Sequence, residues 1–446
     1  MPAFVAVIVL SVVSAIVSPA PPPDAFAVMA RVDQVAARPL WPGFDLRRVP
    51  VAIYDGTATY LFRHPSPPPE FTPVDGRRDV LVAPGQHSSV RANTAVDVAG
   101  VLTATYMMPA ARAASIDAAA AVVAHEAFHV YQRQRYPAWT TNEGELFTYP
   151  MDDEANLAGR KLEAGAWAQA AAAPNAGAAA CWAEEALRLR AQRSTRLPAG
   201  AIGYERGVEL YEGTAFLVQM RAGDEGEGAI GPISVRATEV RRASYGIGRA
   251  MGQVLDRLAP GWERRLEAEQ APLLDAIVES ALGARGAARS GACGHDEAVR
   301  AKAAAEARAE VADLRSDRDR QRQAFENAAG WRVRIIAGAA PLGPRGFDPM
   351  NLTTLGTTDV LHRRFVKLGN DRGSIEALDR AARTRGVGPH PLFNGVAEVE
   401  VTGFADRPRV SESGGEVTIE AKGFRAAFRG AAVEVRGDEI VVRLPG

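Results

Sequence analysis

Cysteine is scarce in this sequence. Its 446 residues contain only two, Cys181 and Cys293. Two thiolates are too few for a zinc cage built from cysteines alone, which needs four of them. One disulfide bond is still possible in an oxidising compartment, and we expect it if the two Cα atoms lie within about 7 Å of each other.

Lysine and net charge are scarce as well. Only four of the 52 basic residues are lysines, and 53 acidic residues leave the chain with a net charge of -1. The arginines are spread among acidic residues along the whole chain. A nucleic-acid-binding protein needs positive charge concentrated in a patch, so we expect no nucleic-acid partner.

Long apolar runs are missing beyond the N-terminus. The one such run, residues 3–17, is uncharged and as long as the core of a signal peptide, but it is short for a helix that spans a bilayer. Residues 25–27 (Ala-Phe-Ala) then provide the small-x-small pattern that signal peptidases cleave. We therefore predict a signal peptide over residues 1–27, a secreted or periplasmic protein and no membrane span in the mature chain. The positive residues that usually begin a signal peptide are missing, so an uncleaved anchor is the alternative.

The rest of the chain changes character twice. Alternating apolar and polar runs come first, Ala-rich helical patterns follow, and short alternating runs return after Gly330. These patterns predict an α+β fold. The predicted domains are a small β-sheet with a mainly helical part over 28–295, a charged connecting helix over 296–330 and a β-rich C-terminal domain over 331–446.

One helical segment carries residues with a chemical meaning. The sequence SIDAAAAVVAHEAFHVYQRQRYP predicts a helix with Asp117 as its N-cap. His125 and His129 lie four residues apart on it, so both imidazoles project from one face and can bind the same Zn²⁺. Glu126 lies about 100° further round the helix. Its carboxylate can there accept a proton from a zinc-bound water and later pass it to a leaving amine.

A catalytic zinc site needs a third protein ligand. No histidine follows His129 until His295, which leaves carboxylates. Glu143 comes after only 13 intervening residues, a tight return for a helix that must first end and then reverse. Glu154 lies near the start of a second predicted helix, and Glu212 lies in a third. The spacing leaves all three carboxylates open.

The HEAFH motif at residues 125–129 resembles the gluzincins, the superfamily that includes thermolysin and the aminopeptidase N type. In these enzymes a glutamate on a second helix completes the zinc site of the H-E-x-x-H helix. In several families this glutamate lies in the sequence pattern E-G-x-A. Residues 212–215 (Glu-Gly-Thr-Ala) have this pattern. The small Gly213 and Ala215 would allow this helix to approach the motif helix closely, and Glu209 would lie one turn back as a partner of the ligand.

Other gluzincin families use E-A-x-x-x-D or E-A-N at this place. Residues 154–156 (Glu-Ala-Asn) are similar to these, but Ala158 stands where thermolysin-like enzymes have an aspartate. The resemblance therefore implies Glu212 as the third ligand, with Glu154 and then Glu143 as alternatives. It also implies a cleft strand that holds an extended peptide, for which residues 101–108 (VLTATYMM) are the candidate.

The resemblance implies a secreted zinc metallopeptidase with a gluzincin-like catalytic domain that hydrolyses peptide or protein substrates. His125, His129 and Glu212 would bind the zinc, and Glu126 would be the general base. The alternative is a non-catalytic secreted binding or surface protein on a metallopeptidase scaffold. Glu126 favours the enzyme, because a site that only binds metal has no need of this acid.

Overall fold

The computed structural model describes residues 24–108, 115–223, 232–269, 271–284, 293–348 and 351–445. Helices and three β-sheets are present, and after residue 330 the described chain forms only strands, turns and loops. The predicted mixture of helix and sheet and the predicted β-rich C-terminal part are therefore confirmed. Most of the predicted signal peptide, residues 1–23, lies outside the described residues. Its last three residues form the first turn of helix α1 (Ala25–Val35).

Contacts divide the chain into two units. The first consists of Met1–Tyr131 and Val218–Asp224, and the second consists of Gln132–Leu217 and Glu225–Gly446. Two helices, Ile116–Arg135 and Thr214–Ala222, each contribute residues to both units.

A six-stranded sheet is the main β-structure of the first unit. Its strands are β1 (Val51–Tyr54), β2 (Ala58–Phe62), β3 (Thr72–Val74), β4 (Arg77–Pro84), β5 (Thr94–Val98) and β6 (Val101–Met107). The order is β3-β4-β2-β1-β6-β5, in which β1 and β6 are parallel and all other neighbours are antiparallel. Phe26 of α1 packs against Tyr60 and Phe62 of β2, with ring centroids 5.1 and 6.1 Å apart.

The strand expected to hold a peptide is not at an edge of this sheet. β6 pairs with β1 on one side and with β5 on the other, so that Ala104 faces both Val51 and Ala95. A strand adds a peptide only through unpaired backbone groups, and β6 has neighbours on both sides. The expectation for residues 101–108 is therefore wrong. Among the described strands, the edges of this sheet are β3 and β5.

The motif helix is α2 (Ile116–Arg135). The Ser115 hydroxyl accepts a hydrogen bond from the Ala118 N–H at 3.1 Å, as an N-cap does. The prediction of Asp117 as the cap is wrong, because this hydroxyl two residues earlier takes the position. Asp117 lies instead in the first turn, where a carboxylate favours the helix dipole, and it pairs with Arg31 at 2.5 Å.

Helices form the first half of the second unit. Asp153 caps one helix and Asn175 the next, each accepting a hydrogen bond from the backbone N–H three residues further on. These two helices pack against each other as a helical hairpin, and the long charged helix packs along the first of them, where Lys161 donates to Glu310 at 2.7 Å. The helices are α3 (Glu154–Ala172), α4 (Ala176–Ser194), α5 (Ala199–Val208), α6 (Thr214–Ala222), α7 (Val240–Leu258), α8 (Trp262–Ala268), α9 (Leu274–Ala284) and α10 (Glu297–Glu326).

Cys181 and Cys293 form the expected disulfide bond. Their Cα atoms are 5.7 Å apart, within the range that a disulfide spans. The bond joins α4 to the segment before α10 and closes a loop over a sequence separation of 112 residues. Closing so long a loop restricts the unfolded chain and so stabilises the folded one.

The C-terminal part of the second unit is a two-sheet sandwich. Side chains from both sheets, such as Ile335 and Val399 on one and Leu368, Ile375 and Phe428 on the other, form a single hydrophobic core. Its strands are β7 (Trp331–Ile336), β8 (Gly343–Phe347), β9 (Leu352–Thr354), β10 (Asp359–His362), β11 (Phe365–Asn370), β12 (Gly373–Leu378), β13 (Ala382–Gly386), β14 (Val396–Phe404), β15 (Arg409–Ser413), β16 (Glu416–Ala421), β17 (Phe424–Arg429), β18 (Ala432–Arg436) and β19 (Glu439–Arg443). The sheet orders are β18-β19-β7-β14-β13-β10-β9 and β15-β16-β17-β12-β11-β8.

A buried histidine makes this sandwich sensitive to acid. His362 is 0% exposed, and its Nε2 lies 3.1 Å from Thr384 Oγ1. Burial lowers the pKa of His362 to about 4 from an ordinary value of 6.5. Because the pKa of His362 is lower in the folded state, protonation of this histidine favours the unfolded state. His362 therefore costs no unfolding free energy above pH 6.5, and the free energy of unfolding falls as the pH drops toward 4.

The substitution His362→Gln should remove this part of the acid sensitivity. Glutamine cannot ionise, yet its amide can still donate to Thr384. We expect protonation of His362 to lower the free energy of unfolding of the wild type by roughly 3 kcal/mol at acid pH. The variant should not show this decrease. Urea denaturation across the pH range measures the difference. Equal pH slopes in the two proteins would contradict the assignment.

Candidate metal centre

His125, Glu126 and His129 form one buried group on α2. Their exposures are 6%, 7% and 5%. The two Nε2 atoms are 3.0 Å apart, and one potential ligand atom from each residue lies within 4.8 Å of the others. Within the described part of the chain, this is the one group of three histidine, cysteine or acidic side chains close enough to bind a metal ion.

The geometry of the histidine pair fits a zinc ion. Zinc binds imidazole nitrogen at about 2.0–2.1 Å, and two such ligands in a tetrahedral site are then about 3.3 Å apart. The observed separation of 3.0 Å is close to this value. Two imidazole nitrogens are also ligands that zinc takes in catalytic sites, where a third protein ligand and a water molecule complete the set. The buried group could therefore bind a metal ion of this kind.

Aromatic packing fixes the rotation of α2 about its own axis. Phe128, which lies between the two histidines in sequence, is 0% exposed. Its ring centroid lies 5.0 Å from that of Trp41, 5.3 Å from that of Phe44 and 5.5 Å from that of Tyr131. Turning the helix would pull Phe128 out of this cluster, so the packing also holds the direction in which the histidines project.

Glu212, the preferred third ligand, belongs to the second unit. It lies in a π-helical turn, Glu209–Gly213, between α5 and α6. Turns of this type are rare within helices and are often found at functional sites. Glu212 is 4% exposed, and its Oε1 lies 2.5 Å from Arg241 Nη2. Arg241 also pairs with Glu143, so this one arginine contacts two of the three candidate ligands.

The end of α2 contacts this π turn through Gln132. The side chain is 0% exposed, and its Nε2 donates to Tyr211 O and to Thr214 Oγ1, both at 2.9 Å. These two acceptors flank Glu212 in sequence. Gln132 follows His129 by three residues, which is about one helical turn. Sequence reasoning missed this residue, although an amide one turn after the second motif histidine was a usable signal.

Gly213 permits a close helix contact, but with α7. A Cβ at Gly213 would lie 2.6 Å from Gly248 Cα, and a Cβ at Gly248 would lie 2.3 Å from Glu209 O. Real Cβ atoms do not come so close to other heavy atoms. The expectation that Gly213 packs on the motif helix is therefore wrong, because the glycine side of the π turn faces α7.

Glu209 has a different partner from the one expected. Its carboxylate accepts two hydrogen bonds from Arg190, at 2.6 and 2.9 Å. Arg190 also pairs with Glu163 and Asp275, and all four side chains are buried. Burial raises the pKa of Glu209 to about 7, although the pairing with Arg190 acts against this rise. This ion network anchors the first residue of the π turn to α4.

The two alternative ligands are more exposed. Glu154 begins α3 with a side chain that is 42% exposed, and it lies 3.8 Å from Arg308 and 3.6 Å from Arg315 of α10. An acidic residue in the first turn of a helix is explained by the helix dipole alone. Glu143 is 50% exposed, pairs with Arg241 and accepts a hydrogen bond from Tyr204 at 3.1 Å. Glu212, at 4%, is the least exposed of the three candidates.

Comparison of the chain with models of protein families, with curated proteins and with solved structures gives no match. In the described part of the chain, every helix is too short or too polar to cross a membrane.

Proposed function

We propose that this chain is a secreted zinc metallopeptidase similar to the gluzincins. The observation that carries the proposal is the buried group on α2, in which two imidazole nitrogens lie 3.0 Å apart beside the Glu126 carboxylate. A metal site without turnover would need the two histidines but not the buried acid, Glu126, that follows His125 directly in sequence. Export is supported by the Cys181–Cys293 bond, because disulfide bonds persist in oxidising compartments.

The chemistry follows from what each side chain can do. A bound zinc ion would polarise the scissile carbonyl and acidify a nearby water molecule. Glu126 would take a proton from the attacking water molecule as the water oxygen forms a bond to the carbonyl carbon. When the carbon–nitrogen bond breaks, Glu126 would return this proton to the departing amine. His125 and His129 would act only as ligands and would stay neutral throughout.

Glu212 is proposed as the third ligand. Its support comes from the second unit, where the carboxylate is buried, lies in a π turn and is flanked by the two acceptors of Gln132. A catalytic zinc site with two histidines and one glutamate leaves a fourth position for water or substrate. Arg241, which pairs with Glu212, would have to share or release this carboxylate when the metal binds.

The third ligand can be identified by comparing two substitutions. We expect Glu212→Gln to weaken zinc binding at least about tenfold, with activity partly restored by added zinc, because a lost ligand lowers metal affinity directly. Glu154→Gln is the matched control and should bind zinc like the wild type. Equilibrium dialysis against buffered zinc measures both affinities. Loss of zinc in the Glu154 variant alone would transfer the role to that residue.

Peptide hydrolysis is tested with the full chain. The protein is recovered from the periplasm or the medium, where we expect an exported protein to accumulate. The protein is incubated with a mixed peptide library, with and without a zinc chelator, and new termini are detected by mass spectrometry. The proposal predicts cleavage products that disappear on chelation. An uncut library in the presence of zinc would favour the alternative of a binding protein on a metallopeptidase scaffold.

A further inference from the structure

Five side chains of the second unit form a ladder between α7 and the opposite helix, which consists of the π turn and α6. Arg241, Tyr245 and Arg249 are spaced four residues apart on α7, and Glu212 and Phe216 have the same spacing on the opposite helix, so each set lies on one helix face. Glu212 pairs with Arg241 at 2.5 Å, and the Phe216 ring lies 6.4 Å from that of Tyr245. The guanidinium carbon of Arg249 lies 5.3 Å from the centre of the Phe216 ring. Residues further along one helix thus contact residues further along the other.

Arg249 differs from the other buried arginines of this unit. It is 6% exposed, its Nε is buried without a hydrogen-bond partner, and among the described residues no carboxylate pairs with its guanidinium. Arg160, Arg190 and Arg193, which are 2%, 4% and 5% exposed, each pair with at least one glutamate. Burial lowers the pKa of Arg249, but a guanidinium stays charged at neutral pH.

A buried charge without a counterion destabilises a folded protein, since the ring face of one phenylalanine replaces little of the lost hydration. A ligand that carries a carboxylate would supply a counterion for this charge. We propose that Arg249 binds a carboxylate of the ligand. The edge of the guanidinium donates hydrogen bonds to the carboxylate, and the Phe216 ring covers the face of the guanidinium. The planar fork of arginine matches a carboxylate in shape, and one guanidinium neutralises one such group.

The position of Arg249 also limits how far this carboxylate lies from the reacting bond. Phe216 follows Glu212 by four residues, which is about 6 Å along a helix. An extended peptide advances about 3.3 Å per residue. The carboxylate would therefore belong to a residue roughly two positions from the cleaved bond. This distance rests on the proposed function, because it takes Glu212 as a ligand, whereas binding of a carboxylate by Arg249 does not.

Two sources can supply such a group, the C-terminal carboxylate of a peptide or the side chain of an aspartate or glutamate. Phe216, Tyr245 and Arg241 are all partly exposed, so the ladder is open to a ligand. A ligand bound here would carry one negative charge next to two aromatic rings. The inferred class of substrate is therefore a peptide that is acidic near the cleaved bond or that ends close to it.

Binding is measured by calorimetry on the full chain carrying Glu126→Gln, so that turnover cannot consume the probe. One pair of probes is N-acetyl-tetraalanine as the free acid and as the amide. A second pair is N-acetyl-Ala-Glu-Ala-Ala amide and its Gln counterpart. We expect one acidic probe to bind at least about tenfold more tightly than its neutral partner, and the pair that discriminates identifies the source. Arg249→Met should abolish the discrimination, whereas Arg242→Met, which removes a 77% exposed arginine of the same helix, should keep it.

Thermal stability separates a binding role from a structural one. Because methionine removes an uncompensated charge but keeps a long apolar side chain, Arg249→Met should raise the melting temperature of the ligand-free protein. Acetate should stabilise the wild type and not this variant. A lower melting temperature in Arg249→Met, or equal probe binding by both proteins, would overturn the inference. If carboxylate binding holds while no peptide is ever cleaved, only the proposed function fails.

Discussion

Replacing Glu126 with glutamine should lower peptide hydrolysis by roughly a hundredfold or more, the effect expected for losing a positioned general base. Glutamine keeps the size and hydrogen-bonding reach of the side chain but cannot accept the proton. Because Glu126 is not proposed as a ligand, zinc content and melting temperature should stay near those of the wild type. The loss should therefore appear in kcat more than in KM.

A matched control shows that the effect belongs to this carboxylate. Glu184→Gln makes the same chemical change at an exposed position of α4, and its hydrolysis rate should equal that of the wild type. Rates are compared under single-turnover conditions at equal zinc occupancy. If Glu126→Gln cleaves peptides as fast as the wild type, proton transfer by this residue is not part of the reaction.

His125→Ala and His129→Ala should each empty the metal site. The wild type is expected to hold about one zinc ion per chain, and removing one histidine leaves at most two protein ligands, which bind zinc poorly. We expect the zinc content of either variant to fall below about a tenth of the wild-type value, and hydrolysis to fall with it. Elemental analysis after dialysis against buffered zinc provides the measurement.

The control for these variants is His64→Ala. His64 is a half-buried histidine of the same unit whose Nε2 lies 2.9 Å from Val98 O, and it has no place in the metal site. This variant should keep full zinc. Stoichiometric zinc in both motif variants would show that the metal, if any, binds elsewhere in the chain.

Features that depend on neighbouring residues were predictable from the sequence. The spacing of His125, Glu126 and His129 places them together on any α-helix, and the alanines around them favour that helix. The alternating runs after Gly330 likewise predict strands, since the pattern itself selects the period of the backbone. The disulfide bond followed from cysteine number, because only one pairing exists.

Features that depend on distant residues were not predictable. The π turn around Glu212 needs an extra residue in the helix, and no local pattern marks it. Which helix Gly213 approaches depends on Gly248, 35 positions later, whose own lack of a side chain makes the contact possible. The position of β6 inside its sheet, and not at an edge, likewise depends on pairing with β1. Whether a carboxylate of the described residues pairs with Arg249 likewise depends on residues that are distant in sequence.

The most direct test of the central claim is a zinc titration of the full chain after the metal has been stripped with a chelator. Bound zinc and cleavage of the peptide library are followed in the same sample. Our account predicts that cleavage returns in proportion to bound zinc and reaches its maximum at about one ion per chain. Cleavage that survives stripping, or a library that stays uncut at full zinc occupancy, would contradict it.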